Sequence, residues 1–91
     1  MTDRISANEL LDMQGAQALA DGLRARRGQP VTVDLSRVRH AGAAALQVML
    51  AAREAWQSDG VDFAVHEPSE ALQQSFALMG ADPELLDHRG A

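Results

Sequence analysis

Residues 31–38 read Val31-Thr32-Val33-Asp34-Leu35-Ser36-Arg37-Val38, and a few residues later Gly42-Ala43-Ala44-Ala45-Leu46-Gln47-Val48-Met49-Leu50 opens a long alanine-rich stretch. The first run is β-branched and apolar. Pro30 precedes it and Ser36 follows, so it reads as a short buried strand with Asp34 near its C-terminal end. The second run is rich in the best helix former, and Leu46, Met49, Leu50, Arg53 and Trp56 recur at helical spacing from about Gly42 to Ser58. Asp59-Gly60 ends that helix. A buried strand running almost directly into a helix of this length is half of a parallel crossover unit, because parallel strands need a connection of a dozen residues or more.

The flanking sequence completes the alternation. Upstream, Met13, Ala16, Leu19, Ala20 and Leu23 recur at three- and four-residue steps between Asp12 and Arg27, and Gly28 stops that amphipathic helix. Downstream, Val61 to His66 alternates as a strand should, and Pro68-Ser69 starts a third helix carrying Leu72, Phe76 and Met79 before Gly80 closes it. Residues 82–86 fit a short further turn of helix, and 87–91 a frayed tail. Two strands alone are marginal, so Arg4-Ile5-Ser6 and Arg37-Val38-Arg39 are the candidates for further, short edge strands. The expected fold class is α/β, a small mostly parallel sheet flanked by three to four helices. Its expected core is Leu19, Leu23, Val31, Val33, Leu35, Leu46, Leu50, Phe63, Val65, Leu72 and Phe76.

A chain of 91 residues is enough for one domain over 1–91. Nearly half its residues are apolar and about a quarter charged, which is ordinary globular composition. The net charge of −5 argues against nucleic acid, whose affinity comes from basic residues neutralising phosphates. The one basic cluster, Arg24, Arg26 and Arg27, suits the C-terminal end of a helix dipole. The start of the chain is acidic and polar where a secretory leader would be basic and then apolar, and no apolar run reaches the ~20 residues of a membrane span. A cytoplasmic protein without membrane insertion is expected.

Machinery for catalysis is not visible. The chain has no cysteine and no lysine, and its serines sit in turns or helix starts. His40, His66 and His88 lack the spacing that would bring two ligands to one metal, so no metal and no cofactor is expected. No glycine-rich phosphate cradle is present. The one enzymatic alternative places Asp34 with His66 or Glu67 at the strand C-termini, where parallel-sheet sites lie.

The segment Val31 to Val38 followed by the helix through Leu46-Gln47-Val48-Met49-Leu50 resembles the centre of a STAS domain, the anti-sigma-factor-antagonist family, whose strand ends in Asp-Leu-Ser and whose next helix starts with Asp-Ser-Ser/Thr-Gly-Leu. Gly60 to Val65 resembles the next strand and Pro68-Ser69 to Leu78-Met79-Gly80 the helix after it, so the likeness spans roughly residues 5–86. The resemblance implies a STAS-like fold and a non-enzymatic regulatory role. The usual first strand and hairpin look shortened, since little precedes the first helix beyond Ile5. Gly42-Ala43-Ala44-Ala45 replaces the family's acceptor stretch, and Ala44 stands where switching members carry the phosphorylated hydroxyl. Leu46 to Ala52 with Trp56, Gly60 and Phe63 is similar to the small stand-alone STAS proteins of bacterial chemotaxis clusters.

The partner implied is a protein of the histidine kinase, response regulator or anti-sigma factor type, in a chemotaxis or two-component pathway in the leading reading; the alternative is a partner subunit of a lipid-transport ATPase complex or an anti-sigma-factor antagonist. The expected contact residues are Arg39, His40, Ala43, Ala44, Gln47, Val48 and Ala51: an outward stripe of small or uncharged side chains, with Arg37, Arg39 and His40 as a basic rim that suits an acidic surface.

Overall fold

The computed structural model describes residues 3–86, which form β1 (Asp3–Ser6), β2 (Leu10–Leu11), α1 (Met13–Arg24), β3 (Val31–Asp34), β4 (His40–Ala41), α2 (Ala43–Asp59), β5 (Phe63–His66), α3 (Glu70–Leu78) and a 3-10 turn at Pro83–Leu86. The tail expected to fray, 87–91, lies outside the described residues. The main sheet has the order β1-β3-β5 and is parallel throughout, Ile5 lying beside Val33 and Val33 beside Val65. Val31, Val33, Phe63 and Val65 turn inward, while Thr32, Asp34, Ala64 and His66 stand half-exposed on the other face. This two-residue alternation is the pattern of a sheet buried on one side.

Arg4-Ile5-Ser6 does form an edge strand, but Arg37-Val38-Arg39 does not. Val38 is drawn into the core instead, and the extended bridge moves on to His40–Ala41, which pairs in parallel with Leu10–Leu11. This short ladder joins the entries of the two longer helices: the Arg39 amide donates to the Glu9 carbonyl (2.7 Å) and the Gly42 amide to the Leu11 carbonyl (3.1 Å). At their other ends the Arg27 guanidinium grips the Asp59 carboxylate through two hydrogen bonds of 3.0 and 3.2 Å. The two helices therefore lie against each other and run the same way.

Of the expected core, Leu46 is only half-buried and Leu50 is 51% exposed. The inward stripe of α2 is Ala45, Met49, Ala52 and Trp56. Trp56 sets this phase: its indole N–H donates to the Gln29 carbonyl at 2.7 Å and its ring lies 5.7 Å from that of Phe63. Each residue turns a helix by about 100°, so with Met49 inward Leu50 points away. Arg53, counted with the apolar spacing, reaches sideways instead to donate to the Leu85 carbonyl (3.0 Å). Met13 (78% exposed) and Met79 likewise lie outside the core, into which Leu11, Leu35, Val38 and Leu85 are packed.

Candidate partner-docking site

The three helices begin differently. Asp12 caps α1 by accepting from the Gly15 amide (2.8 Å), and Ser69 caps α3 by accepting from the Leu72 amide (3.1 Å) while its hydroxyl donates to the Val38 carbonyl. The residue before α2 is Gly42, which has no side chain to offer; no cap bond is made and no acidic residue sits in the first turn. The Gly42 carbonyl serves that turn instead, accepting from the Ala45 amide (3.1 Å) and the Leu46 amide (3.3 Å), and the positive end of the helix dipole meets no carboxylate within the first turn. Ala43 is exposed, Ala44 half-buried and Ala45 fully buried.

The expected contact residues fall on two adjoining surfaces. Arg39 and His40 are exposed at the entry to α2, next to Ala43. Gln47, Val48 and Ala51 lie farther along, in a groove of about 380 Å³ between α1 and α2 whose opposite wall includes Ala20 and Leu23. Ala44 and Val48 are half-buried and pack on the core, so the stripe is less outward than its spacing suggests. Arg37 lines another hollow, together with Glu9, Leu10, Asp12 and Gln14. Two residues beside the entry were not among those expected. Leu10 (57% exposed) lies directly across the short ladder from His40, and Met13 starts α1 two residues after the inward Leu11. The signal for Leu10 was the Leu10-Leu11 pair itself, because neighbouring strand residues face opposite ways and only one can be inside.

The alternative constellation is also assembled. Asp34 lies beside His66 in the ladder, and the Glu67 carboxylate is 3.7 Å from His66 Nε2. Asp34, however, accepts from the Ser36 hydroxyl (2.6 Å) and the Ser36 amide (3.0 Å), closing the turn after β3. Those two bonds, helped by His66 and Arg4 against partial desolvation, hold its carboxyl below the ordinary range. A carboxylate stabilised in this way is a weak base, whereas proton transfer at neutral pH needs one tuned upward. Among the described residues no group of three or more histidine or acidic side chains is placed to hold a metal ion, and no helix is long and apolar enough to cross a membrane.

One family model, described as "Mlab, STAS domain", matches residues 1–87. No curated protein and no solved structure matches the chain.

Proposed function

The chain belongs to the STAS-domain family, and from that premise we propose that it is a non-enzymatic regulatory protein that captures a signalling protein on α2 and has no phosphorylation switch at the start of that helix. The observation that carries this is the contrast in side-chain caps: Asp12 and Ser69 cap α1 and α3, whereas α2 opens with Gly42 and alanines, so that its Ala45 amide turns to the Gly42 carbonyl (3.1 Å) and its first turn holds neither a capping side chain nor an acidic residue. The residues beside that start, Arg39 and His40, are exposed and polar, and Leu10 adds apolar contact area. An acidic surface of a histidine kinase, response regulator or anti-sigma factor complements such a start electrostatically. With no hydroxyl at Ala43, Ala44 or Ala45, occupancy follows partner concentration alone.

The test is to capture the partner from the native cell, purify it and titrate it against Ala43→Glu. A carboxylate at an uncapped first turn favours the helix, so the fold should be as stable as wild type or slightly more so. Binding should nevertheless weaken ten-fold or more, since an acidic partner would meet a like charge. Equal binding by this variant and the wild type would remove the start of α2 from the interface. The identity of the captured protein separates a chemotaxis or two-component role from that of an ATPase partner subunit.

A further inference from the structure

We propose that the groove between α1 and α2 receives a short amphipathic, acidic helix of the partner protein, a proposal that rests on α2 being the docking element. The apolar residues lining the groove include Leu23, Val48, Ala51 and Trp56, of which Ala51 is exposed, Val48 half-buried, and Leu23 and Trp56 almost wholly buried. Among the described residues its charged lining is of one sign: Arg24 and Arg27 stand at one end, each paired with a carboxylate that does not line the groove, and no acidic residue lines it, although the whole chain carries a net charge of −5. The two guanidiniums are fixed from outside the groove. Arg27 is held by the paired bonds to Asp59 and lies 5.9 Å from the centre of the Trp56 ring, and Arg24 is held by Asp21 at 2.9 Å. Each keeps further N–H groups that these carboxylates do not use, since a guanidinium has five donors.

At the opposite end stands the exposed amide of Gln47. From Gln47 to Trp56 the helix advances about 14 Å at ~1.5 Å per residue, the length of some nine residues of a helix laid beside it. Apolar anchors at helical spacing would pack on this apolar lining, as in other helix-in-groove complexes. Carboxylates at the end of that helix beside Arg24 and Arg27 would fix its direction, because charge-assisted bonds to guanidinium groups are the stronger kind.

Two synthetic 14-residue peptides test this, both with leucines at positions i, i+4, i+7 and i+11, one with glutamates at one end and the other with lysines there. Trp56, the chain's one tryptophan, reports occupancy by fluorescence, and calorimetry gives the affinity. The glutamate peptide should bind saturably, at least ten-fold tighter than the lysine peptide, and more weakly as salt is raised. Arg24→Glu and Ala51→Glu should each weaken it ten-fold or more with the circular dichroism spectrum unchanged, whereas Ala77→Glu, at an exposed position of α3 outside the groove, should not. Equal binding of the two peptides, no binding of either, or insensitivity to Arg24→Glu and Ala51→Glu overturns the proposal. So does sedimentation showing that a second copy of the chain occupies the groove. Absent peptide binding while Ala43→Glu still impairs partner capture defeats the groove alone; retained peptide binding while Ala43→Glu leaves capture intact defeats the helix-start interface alone.

Discussion

Asp34 closes β3 by taking two hydrogen bonds from Ser36, and its carboxyl is held below its ordinary value chiefly by that hydroxyl and then by the amide. A group whose folded value is depressed adds stability that is present above its unfolded value, near 4, and lost as the pH falls through the folded one. Asp34→Asn should therefore be less stable than the wild type from pH 5 to 7, and the difference should close on acidification below about pH 4. Urea unfolding at a series of pH values measures this; a gap that persists to the lowest pH at which both fold would mean that the ionised carboxylate is not what Ser36 serves. Gly15 makes a different demand. A Cβ there would lie 2.1 Å from the Leu10 carbonyl oxygen, a backbone atom with little room to move. Alanine is worth up to about 1 kcal/mol over glycine in a free helix, but overpacking costs about 1–3 kcal/mol. Gly15→Ala should thus lower the urea midpoint, and a raised midpoint would show that α1 can draw back from β2.

The elements themselves were legible in composition and periodicity: a β-branched run between turn-formers at Val31–Asp34, a two-residue alternation through Phe63–His66, and three- to four-residue steps in the helices. The phase of α2 was not. Apolar residues lie nearly all round that helix, and weighting the large leucines picks a stripe about 100° away from the one that the Trp56 anchor selects. Small alanines at positions 45 and 52 share the buried line with Met49 and Trp56. Met49→Ala should then cost about 2–5 kcal/mol, in the range for a deleted core side chain. Leu50→Ala should stay within about 0.5 kcal/mol, as exposed substitutions do. Thermal melts of the two variants decide it, and a reversed order would turn the helix back to the leucine register. The β2–β4 ladder could not be read at all: two-residue strands have no period, and theirs is defined by hydrogen bonds to chain some thirty residues distant.

At the scale of the whole molecule, the parallel sheet and its two crossovers place the beginnings of α1 and α2 side by side, and so decide which side chains can share a surface. Residue type alone was enough to single out the alanines at positions 43–45 as a helix start without a hydroxyl. It did not reveal that Gln47, Val48 and Ala51 belong to a groove shared with α1, because that depends on how closely the two helices pack, nor that Arg37 lines a hollow with Glu9 and Asp12. The proposed docking of a partner on α2 makes one prediction that no single substitution can imitate. Hydrogen exchange, followed by mass spectrometry on the protein alone and in its purified complex, should slow on binding across residues 39–52. The amides of Ala43 and Ala44, which precede the first hydrogen-bonded amide of α2 at Ala45, should slow the most. Unchanged exchange there, with protection confined to β1 or β5, would contradict the account and put the partner on the edges of the sheet.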